Sequence, residues 1–188
     1  MNDLHRVDWT QIPAPKDDGG AKHLIGASVP SVILTATSGE MVNLAALAGR
    51  TVVYAYPMTG RPDVPLPDGW DMLPGARGCT PQSCAFRDHL DELTRLGVSR
   101  IFGLSTQGTE YQQEAANRLQ LPFSLLSDED LLLKNGLNLP VMSVEGMTLL
   151  KRLTMVVDDG AITQLFYPVF PPDESAARVI DWLKGSRL

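Results

Sequence analysis

Residues 51–56 read TVVYAY, a nearly unbroken run of β-branched and aromatic side chains. A run without polar alternation is the pattern of a central strand buried on both faces. Such a strand needs a covering layer on each side. Pro57 ends it, and residues 57–78 then hold five prolines and four glycines. No α-helix survives that density of breakers, so a long loop must follow the central strand. Loops of that length inside a compact fold usually carry function or are loosely ordered.

The rest of the chain supplies the layers. Residues 31–36 read as a strand, with a turn at Ser38-Gly39-Glu40, and Asn43 is placed to cap a short helix over residues 44–47. From Thr80 onward Phe86, Leu90, Leu93 and Leu96, with Cys84 before them, keep a helical rhythm that Gly97 stops. A strand is expected over residues 99–104, an amphipathic helix over 108–119 and an extended segment over 121–126. The acidic stretch Ser127-Asp128-Glu129-Asp130 suits the positive end of a further short helix. Residues 153–157 and 162–167 flank Asp158-Asp159-Gly160, a hairpin signal. Pro171-Pro172-Asp173 introduces a last helix to about Lys184, with Gly185 as its stop. Strands alternating with helices and one late hairpin make an α/β sandwich with a mixed central sheet flanked by helices. The 188 residues suit one such unit, covering residues 24–188 behind an N-terminal arm of residues 1–23.

The chemistry concentrates where the long loop becomes a helix. Only two cysteines occur, Cys79 and Cys84. Cys79 stands at the helix start, where free N–H groups and the helix dipole favour a thiolate, the nucleophilic form. Arg77, two residues away, adds positive charge. In an ideal helix the two cysteine Cα atoms lie about 8–9 Å apart, and a disulfide requires less than about 7 Å. Joining them therefore requires the first turns to unwind. Two close cysteines are also compatible with ordinary small core residues. A zinc site needs more ligands than His89 and two thiols supply, so no metal or other cofactor is expected.

A formal net charge of −6 argues against nucleic acid as a partner. No apolar run reaches the roughly 18 residues of a membrane span. The N-terminus lacks the apolar core of a signal peptide. The cytoplasm is the expected location.

The stretch Gly78-Cys79-Thr80-Pro81-Gln82-Ser83-Cys84-Ala85-Phe86-Arg87-Asp88 resembles the G-C-T-x-Q-x-C-x-x-R-D signature of peroxiredoxin Q, also called bacterioferritin-comigratory protein. Residues 54–57, 104–106, 123–129 and 152–158 resemble further segments of that family. The resemblance implies a thioredoxin-like sandwich and a thiol-dependent peroxidase acting on hydrogen peroxide or organic hydroperoxides. It also implies Cys79 as peroxidatic cysteine, Cys84 as resolving cysteine, Arg152 as active-site guanidinium, and thioredoxin or a similar thiol as reductant. A monomer or weak dimer is the implied state. The family's P-x-x-x-T-x-x-C motif is interrupted here. Pro57 and Thr59 are its expected proline and threonine, separated from Cys79 by an insertion at about residues 60–75 that carries an exposed-looking Trp70. Either Thr59 still reaches the sulphur, or Thr80, Ser83 or a backbone N–H replaces it. The insertion could lid the site, shape a larger substrate pocket, mediate association, or form a solvated loop. A disulfide oxidoreductase and a non-catalytic redox-sensing module are the competing functions. The first normally uses C-x-x-C.

Overall fold

The computed structural model describes residues 7–186. In chain order its regular elements begin with β1 (Leu34–Ala36), β2 (Met41–Val42), β3 (Arg50–Ala55), α1 (Cys79–Asp88), α2 (Leu90–Arg95), β4 (Val98–Ser105) and α3 (Thr109–Arg118). They continue with β5 (Leu125–Ser127), α4 (Leu132–Leu137), β6 (Val141–Val144), β7 (Met147–Leu150), β8 (Leu153–Asp158), β9 (Ala161–Phe166) and α5 (Ser175–Gly185). Seven strands form one sheet in the order β2-β1-β5-β4-β3-β8-β9. β3 and β4 are parallel, as are β4 and β5, whereas β8 runs antiparallel to β3 and β9. The sheet is thus mixed, as expected, with β3 inside it.

β3 is buried on both faces because its alternate side chains enter two different cores. Val53 and Ala55 pack with Leu104, Leu126, Leu153 and Met155. Val52, Tyr54 and Tyr56 pack on the other side with Phe86, Leu93, Ile101 and Val179 from α1, α2, β4 and α5. The stacked rings of Tyr54 and Phe86, 4.6 Å between centroids, fasten α1 to the sheet.

Several elements differ from the sequence expectation. One helix was expected from Thr80 to Leu96, but it breaks at His89 into α1 and α2. The His89 ring Nδ1 bonds the Ala85 carbonyl at 2.8 Å, so the side chain competes for an acceptor of the helical ladder. The hairpin of β6 and β7 was not anticipated. Its turn residues Glu145 and Gly146 both have positive φ, +48° and +81°. Trp70, expected to be exposed, is only 5% exposed and packs with Met58, Ala76, Val144 and Leu149. The insertion is thus anchored on the hairpin, and the Asp68 N–H donates to Glu145 across them. Arg87 bonds Asp88 and the Leu119 carbonyl. Among the described residues, no helix is long and apolar enough to cross a membrane.

The described part of the N-terminal arm lies against the elements that hold α1. Trp9 donates through its indole N–H to Asp173 and packs edge-on against Phe170. Asp18 accepts from Lys151 and from the Tyr167 hydroxyl.

Candidate active site

Gly78 sets the geometry of the site. Its φ of +110° is the left-handed region, and a Cβ there would lie 2.4 Å from Pro172 and 2.9 Å from the Trp9 ring. Only glycine allows this close approach. From this bend the chain enters α1 with Cys79 as the first helical residue. Cys79 is buried, and Cys84 is half-buried on the same helix; both are free thiols. Both cysteines being helical is the condition under which the spacing forbids a direct bond without unwinding.

Arg152 comes to Cys79 from the residue just before β8. Its Nη2 donates to Cys79 Sγ at 3.2 Å and to the carbonyls of Gly75, Ala76 and Arg77. Its Nη1 donates to Gln82 Oε1 at 2.5 Å. Gln82 Nε2 donates in turn to Ser175 Oγ, and Ser175 shares a 2.9 Å hydroxyl bond with Thr154. The guanidinium is therefore clamped between the loop, α1, β8 and the start of α5.

Arg152 is 2% exposed, yet its hydrogen bonds among the described residues reach no carboxylate. A buried cation is costly unless an anion compensates it. Of its partners only Cys79 can ionise. The hydrogen bond from the guanidinium to the sulphur is charge-assisted. The Cys79 thiol itself donates to the Ala76 carbonyl at 3.6 Å.

The other expected groups lie as follows. Thr59 is buried, but its backbone N–H and hydroxyl both donate to Gln107 Oε1, at 3.0 and 3.3 Å, and no hydrogen bond joins it to Cys79 among the described residues. Ser83 is occupied as well, accepting from the Tyr54 hydroxyl. Thr80 lines the same cavity as Cys79. The Arg77 guanidinium pairs with Asp71, while its carbonyl accepts from Arg152. Burial pushes the Cys84 thiol above its ordinary range, with Arg87 opposing and Asp88 adding to the shift. Burial likewise pushes the Tyr54 and Tyr56 hydroxyls above their ordinary range. Gln82, Gln107 and Ser175 had no assigned role in the sequence. Gln82 was visible as a fixed position of the signature, but Gln107 and Ser175 act through partners far away in sequence and left no local signal.

Cys79 and Cys84 both open on a cavity of about 930 Å³. A thiol at a helix start, a buried guanidinium on its sulphur and a second thiol on the same helix can reduce a peroxide and then close a disulfide.

Comparison with known proteins shows the family. Residues 24–180 match the Redoxin family. Peroxiredoxin Bcp of Escherichia coli K12 is 33% identical over 164 residues, which cover 85% of this chain and 94% of that protein. The chloroplastic peroxiredoxin Q of Sedum lineare is 32% identical over 156 residues, 82% of this chain and 74% of that protein. In three dimensions, peroxidoxin BcpB of Mycobacterium tuberculosis superposes with a TM-score of 0.69 at 23% identity, covering 87% of this chain and 98% of that one. The bacterioferritin comigratory protein of Xanthomonas campestris, characterised for alkyl peroxide reduction, gives 0.65 at 23% identity, over 84% of this chain and 92% of that one. These solved structures share the thioredoxin-like fold expected from the sequence. The chain belongs to the Redoxin family and, within it, to the peroxiredoxins of the Bcp and Q kind, which are thiol-dependent peroxidases.

Proposed function

We propose that this peroxidase reduces hydrogen peroxide and organic hydroperoxides with Cys79 as the attacking thiol, Cys84 as the resolving thiol and Arg152 as the group that holds the reacting sulphur. The observation that carries the assignment is the buried Arg152 guanidinium, whose only ionisable hydrogen-bond partner among the described residues is Cys79. The Cys79 thiolate attacks the terminal oxygen of the hydroperoxide. The O–O bond breaks, the sulphur is oxidised to a sulfenic acid, and the departing alkoxide or hydroxide takes up a proton and leaves as alcohol or water. Arg152, already aimed at the sulphur, stabilises negative charge as it shifts onto the departing oxygen. After the start of α1 unwinds, the Cys84 sulphur attacks the sulfenic sulphur. The S–O bond breaks, water is released and a disulfide forms. A thiol reductant, thioredoxin or one of similar chemistry, restores both thiols by exchange.

A cycle that ends with reduction by external thiols suits the reducing cytoplasm. The test is steady-state peroxide consumption coupled to a thioredoxin system, for wild type, Cys79→Ser and Cys84→Ser. Wild type is expected to turn over and Cys79→Ser to be inert. Wild-type consumption no faster than that of free cysteine would instead support a redox-sensing module.

A further inference from the structure

Hydrogen peroxide has two heavy atoms, yet the cavity in front of Cys79 measures about 930 Å³. It is a half-open cleft whose volume falls in the range of small-molecule sites, roughly 300–1,000 Å³. Part of its wall is built by the insertion: Leu66 and Trp70 join Met58 and Leu119 in lining it. Trp70 is fixed from behind by its packing on the β6–β7 hairpin. Leu66 is 44% exposed, an apolar side chain left uncovered in the cavity that Cys79 also lines. It lies over Gly60, where a Cβ would come within 3.1 Å of its Cδ2.

The charged groups of the same cavity already have partners. Arg77 is paired with Asp71, Arg87 with Asp88 and Arg118 with Glu114, while Asp173 accepts from Trp9. None of these calls for a charged ligand. Leu66, the exposed member of the apolar wall, does call for apolar surface to cover it.

We infer that Leu66 and Trp70 are specificity-determining residues that contact the substituent of an organic hydroperoxide. They favour a neutral, bulky alkyl or aryl substituent over the bare hydroxyl of hydrogen peroxide. This inference rests on the assignment of Cys79 as the attacking thiol. The peroxide oxygens meet Cys79, and the substituent extends through the cavity toward the insertion.

The test compares kcat/KM for cumene hydroperoxide with kcat/KM for hydrogen peroxide in wild type, Leu66→Ala and Val64→Ala. Val64 is an insertion residue, 41% exposed, that does not line the cavity. Leu66→Ala is expected to lower the cumene-to-hydrogen-peroxide ratio about tenfold, the scale on which a lost apolar contact discriminates between substrates. Val64→Ala is expected to keep the ratio within about twofold of wild type. A Leu66→Ala ratio equal to that of wild type, or a parallel fall of both constants, overturns the inference while leaving the Cys79 assignment standing. Wild type that reduces neither peroxide overturns both, and is recognised by its lack of turnover.

Discussion

Arg152 lies at the energetic centre of the site. A guanidinium this deeply buried is held by a neutral amide, three carbonyls and one sulphur. Arg152→Met removes the positive charge while filling much of the same volume. It is expected to lower kcat/KM for hydrogen peroxide by about 10²–10³-fold, the cost of losing one preorganised donor at a developing charge. Stopped-flow peroxide decay measures it, and a change of less than about threefold would remove Arg152 from the chemistry. Single residues also show what the sequence could and could not convey. Cys79, Cys84 and Arg152 could be singled out because a local signature and a strand start mark them, and the structure brings Arg152 onto Cys79 with Cys84 on the same helix. The role of Thr59 was not legible, because the fate of its hydroxyl is decided by Gln107, 48 residues further along the chain. Arg77 was misjudged because Asp71, on the insertion, claims its charge.

At the level of elements, α1 has to be both a rigid platform and a segment that unwinds. Only 10 residues long and ended by His89, it is fastened to the sheet through Phe86 on Tyr54 and to α5 through Gln82 on Ser175. Cys84 sits in its middle with a thiol that burial holds above the ordinary range. Little of it is ionised near neutrality, so the thiolate fraction grows as pH rises toward the shifted value. The rate of disulfide formation after a peroxide pulse is therefore expected to climb about tenfold per pH unit between roughly pH 6 and 8. Stopped-flow fluorescence follows it, and a rate independent of pH over that interval would contradict attack by the Cys84 thiolate. The break at His89 and the β6–β7 hairpin escaped the sequence for different reasons. The first depends on a ring nitrogen reaching a carbonyl. The second turns on Glu-Gly, a weaker hairpin signal than Asn-Gly or Asp-Gly. The central strand, the capping Asn43 and the final hairpin were readable because each follows from local composition. Asn43 indeed accepts from the Ala45 N–H.

For the whole molecule, the described part of the arm before residue 24 is tied to the sheet that carries the site. Asp18 grips Lys151, the neighbour of Arg152, and the Tyr167 hydroxyl. The Lys151 bond, then that of Tyr167, holds the Asp18 carboxyl well below the usual carboxylate range. A carboxylate depressed on folding contributes stability above its unfolded pKa and loses it as pH falls through the folded value. Asp18→Asn is expected to lower stability near neutral pH by no more than about 1 kcal/mol, because the pair is partly exposed. The two proteins should converge in strong acid. Urea unfolding at several pH values checks this, and a difference that widens in acid would contradict the sign. The insertion belongs to the same scale. Its burial of Trp70 depends on a hairpin more than seventy residues away, and composition alone suggested only a loop.

The most direct measurement is a single turnover. Reduced wild type, Cys79→Ser and Cys84→Ser are each mixed with one equivalent of hydrogen peroxide, and peroxide loss is followed by stopped flow with intact mass as the product readout. The expected result is rapid consumption by wild type with loss of about 2 Da, no reaction in Cys79→Ser, and gain of about 16 or 32 Da in Cys84→Ser. Rapid consumption by Cys79→Ser, or wild type that gains oxygen without forming a disulfide, would contradict the roles assigned to the two cysteines.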